Sequence, residues 1–245
     1  MQNEKPNHTE NEIGRFYAIG VGAGNPDFLT VRAANILSRI GVVFSVTSSS
    51  ESSSTAFDIV STYLKEDCQQ IQLHFPMTRD KNLLKKAWEE NAKTVLDVLT
   101  KNIDAAFITL GDPSIYSTYS YLWRSLVRLF PEVKVEVIPG ITSFQAAAAR
   151  LNIPLVEGDQ SLTIVSGVNG ADGIQDIVNH ADNLVIMKIY RKWKEIVELI
   201  KRIDVVRAAP VISRCGMKGE KIWQDLRALD INKPPSYFTL SIVKK

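Results

Sequence analysis

Leu110–Leu122, LGDPSIYSTYSYL, carries residue types that hold a small molecule by its polar edges and flat faces. Gly111 has no side chain, so its backbone is open to close approach by a ligand. Asp112 accepts hydrogen bonds, Pro113 fixes the turn, and Tyr116 and Tyr119 offer apolar rings. The apolar run Ala105–Leu110 before it reads as a buried strand, and Tyr119–Leu129 resumes at helical spacing. A strand that ends in a glycine turn and opens a helix is where α/β proteins place ligands. An ordinary strand-to-helix loop accounts for the same residues equally well.

A second glycine run, IGVGAGNPDFLT, places Gly20, Gly22 and Gly24 directly after an apolar strand. A dinucleotide fingerprint needs G-x-G-x-x-G, and position 25 is Asn. It also needs an acid at the end of the second strand, where the chain reads FSVTSSS and the first acid is Glu51. The phosphate-binding P-loop fails too, because no Gly-Lys-Ser/Thr follows. What remains is close backbone approach, either to a ligand or to the first helix, with Asn25-Pro26 forcing a turn and Asp27 or Thr30 capping.

These loops need strands behind them. Strands are predicted at Arg15–Val21, Val42–Val46, Gln70–Leu73, Ala105–Leu110 and Val133–Ile138, then at Leu162–Val165, Leu184–Met187, Pro210–Ser213 and Phe238–Val243. Helices are predicted at Phe28–Ile40, Ala56–Leu64, Lys81–Lys101, Tyr119 to about Phe130, and the Ala-rich stretch after Pro139-Gly140. Gly173–His180, Lys192–Ile203 and Glu220–Leu229 follow as helices in the second half. Alternation of this kind implies an α/β protein with parallel pairing in the first half. The boundary is placed near Pro139-Gly140: a disordered tail at 1–12, one α/β domain at 13–140 and another at 141–245. The Ser-rich Thr47–Thr55 reads as a solvated loop.

Composition removes several classes of chemistry. The 245 residues carry 29 basic and 27 acidic side chains, so no broad electrostatic field recommends nucleic acid or a membrane surface as partner. Cys68 and Cys215 are far apart, and His8, His74 and His180 stand alone. Neither a zinc site nor a disulfide framework is indicated, and the cytoplasm is the expected compartment. No apolar run has membrane-spanning length, and the polar start MQNEKPNHTENE is unlike a signal peptide.

Four segments in order, VGAGNPDFLT, LGDPSIYST, VIPGITSFQAAAARLNIPL and LVIMKIY followed by ISRCG, resemble the tetrapyrrole (corrin and porphyrin) methyltransferases. Those enzymes use S-adenosyl-L-methionine, and the likeness runs from about Phe16 to Val243. HFPMTRD at His74–Asp80, the following WEENA and the ending PPSYFTLSIVKK look most like members that methylate carbon 20 of precorrin-2 or its cobalt complex, early in cobalamin synthesis. The first loop departs from the family's usual G-P-G-D-P at Ala23 and Asn25 but keeps Pro26.

The resemblance implies the tetrapyrrole methylase fold, two α/β domains with the active site in the cleft between them, and a homodimer. It places the methyl donor on Pro26, Gly111, Asp112, Ile115, Thr142, Ser143, Met187 and Arg214. The acceptor bears many acetate and propionate groups, which suit Arg, so Arg79 with Tyr116 and Tyr190 are its candidate contacts. Arg150, Lys188 and Arg191 are further cations, each equally readable as a surface charge. No protein-bound metal and no nucleophile are implied, because the donor is already activated and the reaction needs only alignment. Asp112 either contacts the donor or organises the following turn, and capping alone explains one of Thr142 and Ser143. The rivals are the same chemistry at another ring position, as in the uroporphyrinogen III or precorrin-4 enzymes, a nucleotide-binding oxidoreductase, and a silent interaction domain.

Overall fold

The computed structural model describes residues 13–47 and 54–245. The tail reading at 1–12 and most of the Ser-rich loop lie outside the described residues. The chain divides into two compact units. One holds the described residues up to Gly22 and Pro26–Ile141, and the other holds Thr142–Lys245 together with Ala23–Asn25.

The first unit runs β1 (Phe16–Gly20), α1 (Val31–Leu37), β2 (Val42–Thr47), α2 (Thr55–Val60), β3 (Gln69–His74), α3 (Lys81–Leu99), β4 (Ala105–Thr109), α4 (Tyr119–Leu129) and β5 (Val135–Ile138). Its sheet has the order β3-β2-β4-β1-β5 with every pair parallel. A sheet covered on both faces needs strands that are apolar on both sides, and β1 is buried throughout. Phe16 and Ala18 pack with Val95, Leu99, Leu122 and Leu126 from α3 and α4. Tyr17 and Ile19 pack with Ala33, Ile36 and Leu37 of α1 and Ile59 of α2 on the other face.

β1 and β4 are neighbours, yet the helix after β1 lies on one face and the helix after β4 on the other. Their connections therefore part at the carboxyl ends of the two strands. A crevice opens at such a switch point, and it is where open parallel sheets bind ligands. The Gly20–Gly24 and Gly111–Tyr116 loops both start there.

In the second unit, α5 (Ser143–Leu151) precedes β6 (Leu162–Ser166), α6 (Gln175–His180), β7 (Asn183–Met187), α7 (Trp193–Lys201), β8 (Val211–Ser213), β9 (Lys221–Trp223) and β10 (Thr239–Lys244). The sheet order is β6-β7-β10-β8-β9, with β6 and β7 parallel and the other pairs antiparallel. Val165, Leu184, Ile186 and Val211 bury one face beneath Trp193, Ile196, Val197 and Ile200 of α7. Each such side chain contributes about 1.5–3 kcal/mol when fully buried.

Two predicted helices are corrected. Glu220–Leu229 is not helical: Lys221–Trp223 forms β9, and Leu226–Ala228 is a single 3-10 turn capped by Asp225. A hairpin partner decides this, because β9 pairs with β8 and the intervening turn uses Gly216 and Gly219 at positive φ. The helix expected over Phe28–Ile40 is shortened to α1, because Pro26–Phe28 forms its own 3-10 turn and Thr30 caps at Ala33 N. Among the described residues no helix is long and apolar enough to cross a membrane.

Candidate functional site

The carboxyl ends of β1, β4 and β5 meet at three glycines. A Cβ built on Gly140 would lie 2.1 Å from the Gly111 carbonyl oxygen and 2.7 Å from the Gly20 carbonyl carbon. One on Gly20 would lie 2.5 Å from the same Gly111 oxygen. Side chains are excluded here by backbone on every side. Gly111 N–H donates to the Gly22 carbonyl at 2.7 Å, and both residues take positive φ, 67° and 80°. The two glycine loops are thus one bonded junction.

Asp112 ties the third loop to it. Its Oδ2 accepts from Gly140 N–H at 3.0 Å, and its Oδ1 accepts from the Ser114 N–H at 2.8 Å and from the Ser114 hydroxyl. Partial burial pushes the carboxyl pKa up, but the Ser114 and Gly140 hydrogen bonds outweigh it and hold Asp112 below the usual carboxylate range. Of the two roles open in the sequence, loop organisation is visible: each carboxylate oxygen already accepts from the protein. The first turn of α4 lies further on, at Tyr119. Ile115 N–H bonds back to the Asp112 carbonyl at 3.2 Å, and Tyr116 follows half-exposed at φ 48°. Pro26 is exposed at the start of its 3-10 turn.

Thr142 is the N-cap of α5. Its hydroxyl accepts from Gln145 N–H at 3.3 Å and donates to Gln145 Oε1, which also accepts from Thr142 N–H at 3.0 Å. This capping box uses both capacities of the hydroxyl. Thr142→Ala is expected to cost about 1 kcal/mol, read as a lower urea midpoint, with Thr142→Ser close to wild type. Equal midpoints for Ala and wild type would show that the cap contributes nothing. Ser143 opens the helix, half-buried, and its hydroxyl has no partner among the described residues.

Met187 ends β7 and pairs with Leu240 of β10, while Arg214 follows β8 where Ser213 pairs with Thr239. Arg214 N–H donates to the Phe238 carbonyl at 2.7 Å, and its Nε donates to the Lys218 carbonyl at 2.9 Å. The start of β10 therefore holds the chain after β7 and the chain after β8 side by side. Tyr190 lies in the 3-10 turn after Met187, its ring 4.9 Å from that of Tyr237.

Backbone strain marks the same places. Five non-glycine residues among those described take positive φ. Asn102 and Asn152 do so beyond the ends of helices, where Asn tolerates it. The others are Lys188 and Arg214, each directly after a strand, and Tyr116 in the loop between β4 and α4, all at or beside a residue named from the sequence. Such residues cost on the order of 1–3 kcal/mol and cluster at functional sites. Gly140 and Ser114 are not among the sequence-based site residues, and Lys188 is there only as a further cation. Gly140 had a signal, the Pro-Gly that ends a strand, whereas the strain at Lys188 has none.

Arg79 stands elsewhere, after β3 at the outer edge of the first sheet. Within HFPMTRD, Phe75 is buried, Thr78 Oγ1 accepts from Asp80 N–H, and Asp80 caps α3 at Asn82 and Leu83. These bonds fix the turn and leave Met77 and Arg79 exposed. Burial lifts Cys215 to about 11 and Tyr119 to about 12, so both stay protonated near neutral pH and neither is an activated nucleophile.

A backbone-lined switch point of this kind is where open parallel sheets take their ligands. The profile of the Tetrapyrrole (Corrin/Porphyrin) Methylases matches residues 15–230. The chain is 33% identical over 232 residues to the cobalt-precorrin-2 C(20)-methyltransferase of Salmonella typhimurium, covering 95% of this chain and 97% of that one. It is 27% identical to the precorrin-2 C(20)-methyltransferase of a Sinorhizobium species, with 94% and 95% covered. The solved uroporphyrin-III C-methyltransferase of Thermus thermophilus, in complex with S-adenyl homocysteine, superposes with a TM-score of 0.66 at 19% identity, over 95% of this chain and 98% of that one. The family match spans most of the chain and the Salmonella relative is 33% identical over nearly its whole length, so the chain belongs to the tetrapyrrole (corrin/porphyrin) methylases.

Proposed function

We propose that this chain transfers the methyl group of S-adenosyl-L-methionine to carbon 20 of precorrin-2 or its cobalt complex, in the cytoplasm and as a homodimer. The observation that carries this reading is 33% identity over nearly the whole of both chains to a relative named for that position on the cobalt-bearing substrate. HFPMTRD, the segment most like the carbon-20 enzymes, supports it.

The chemistry asks little of side chains. The ring carbon attacks the methyl group, the carbon–carbon bond forms as the carbon–sulfur bond breaks, and the departing pair stays on sulfur as a neutral thioether. The methylated carbon then loses its proton. Alignment in such a reaction is worth roughly 7–11 kcal/mol in favourable cases. In this reading the glycine junction with Asp112 and Ile115 presents backbone to the donor, and Pro26, Thr142, Ser143, Met187 and Arg214 complete its contacts. Arg79, Tyr116 and Tyr190 meet the acidic acceptor.

The decisive experiment incubates the protein with S-adenosylmethionine and precorrin-2, with and without cobalt, then reads product mass and carbon NMR. A gain of one methyl group located at carbon 20 is expected. A methyl at another position would overturn the assignment of position, and no transfer to either substrate would overturn the activity.

A further inference from the structure

Past the end of β7 the second unit holds a basic and aromatic group with an unused charge-binding capacity. Tyr190 and Tyr237 have ring centroids 4.9 Å apart at 52°, and Phe238 stands edge-on to Tyr237 at 5.0 Å. Arg191 Nε donates to the Tyr190 hydroxyl at 2.8 Å, with the guanidinium carbon 5.7 Å from that ring's centroid. This one bond orients an otherwise exposed side chain and leaves both terminal nitrogens without a hydrogen-bond or ion-pair partner among the described residues. Lys188 is three positions away and half-buried, and its ammonium pKa is pushed down first by burial and then by the Arg191 charge. The left-handed backbone of Lys188 adds a local cost to that repulsion.

Two cations three positions apart, one of them bonded to an aromatic pair, are poorly matched to the methyl donor. S-adenosylmethionine carries a sulfonium and an ammonium against one carboxylate, so Lys188 and Arg191 repel more of it than they attract. They suit a conjugated ring with several carboxylates. A planar guanidinium offers paired donors at carboxylate geometry, and half-exposed Tyr237 offers an apolar face beside it. Tyr237 belongs to PPSYF, which supplies none of the residues assigned to the donor.

The geometry points to Arg191, with Lys188 and the Tyr190–Tyr237 pair, as the clamp for a carboxylate arm of the tetrapyrrole acceptor. This rests on the proposed acceptor and adds the residues that orient it. Arg191 is a positioning residue here: it holds the acceptor's periphery and touches no reacting atom.

Arg191→Gln, Arg191→Lys and Tyr237→Ala are compared with wild type in the full chain. Arg191→Gln is expected to raise KM for precorrin-2 by roughly tenfold, the scale of one lost charge-assisted hydrogen bond. Turnover at saturation and S-adenosylhomocysteine affinity by calorimetry should stay within about twofold. Arg191→Lys recovers part of the loss, and Tyr237→Ala raises KM without changing its salt dependence. A KM unchanged in Arg191→Gln overturns the clamp, and so does an equal fall in S-adenosylhomocysteine affinity, which would give the group to the donor. A parallel titration uses sirohydrochlorin, a polycarboxylate tetrapyrrole, followed by absorbance. If wild type transfers no methyl group but binds this probe in an Arg191-dependent way, the functional reading fails and the clamp stands. If the probe does not bind, or binds equally to Arg191→Gln, the clamp fails.

Discussion

Gly140→Ala is expected to cost about 3 kcal/mol, at the upper end of overpacking penalties, and to weaken S-adenosylhomocysteine binding as well. The new methyl would sit 2.1 Å from the Gly111 carbonyl oxygen and 2.7 Å from the Gly20 carbonyl carbon, and both obstacles are backbone. No side chain can rotate away, so one of three strand ends must move. β1 is hydrogen-bonded to β4 on one side and β5 on the other, which leaves the displacement nowhere to go but the loops. Those loops carry Gly22, Gly111 and Asp112, so the damage reaches the proposed donor contacts. Gly158→Ala is the control: it takes φ 55° with nothing within 4 Å, and its cost is conformational alone, about 1 kcal/mol. Urea midpoints and calorimetry on both variants read the contrast. A Gly140→Ala midpoint at or above that of Gly158→Ala would refute the close-packed junction.

What the chain reveals before folding is whatever is local. The helix α3, the caps and the strand-glycine-helix order around Gly111 are set by neighbours a few positions away, and the structure selects Thr30 over Asp27 and Thr142 over Ser143 as the caps. β9 is different. Lys221 and Ile222 are exposed, and three residues cannot show a period, so only pairing with β8 makes them a strand. The same reason hides the Asp112–Gly140 bond, whose partners are 28 positions apart. Asp112 was legible as a site residue by its motif, whereas its binding partner depends on β5 lying beside β1. The site residues thus had two kinds of signal. Gly111, Thr142 and Arg214 are named through the family resemblance and Lys188 and Arg191 as bare cations, while the grouping of Tyr190 with Tyr237 depends on β10 running back beside β7.

Asp112→Ala separates the two roles left open for that carboxylate. It strips the Gly140 N–H and two Ser114 donors of their acceptor. An amide left without a partner costs about 1–3 kcal/mol, and the carboxylate's exposure to solvent places the expected loss near the middle, about 2 kcal/mol. Asp112→Asn retains the shape and one acceptor, so it should lose about half as much. The pH dependence has a definite sign. Because hydrogen bonds hold the folded pKa below its ordinary 3.8, this stabilisation is complete above the unfolded value and disappears as pH falls through the folded one. The stability gap between wild type and Asp112→Asn should therefore be constant near neutrality and narrow only in the acid range below 3.8. Ser114→Ala then discriminates. If Asp112 serves the donor by fixing the loop, removing the Ser114 hydroxyl should weaken both stability and S-adenosylhomocysteine binding, each by less than Asp112→Ala does. If Asp112 meets the donor directly, Ser114→Ala should leave donor affinity unchanged while Asp112→Ala lowers it by about tenfold, the scale of one charge-assisted hydrogen bond.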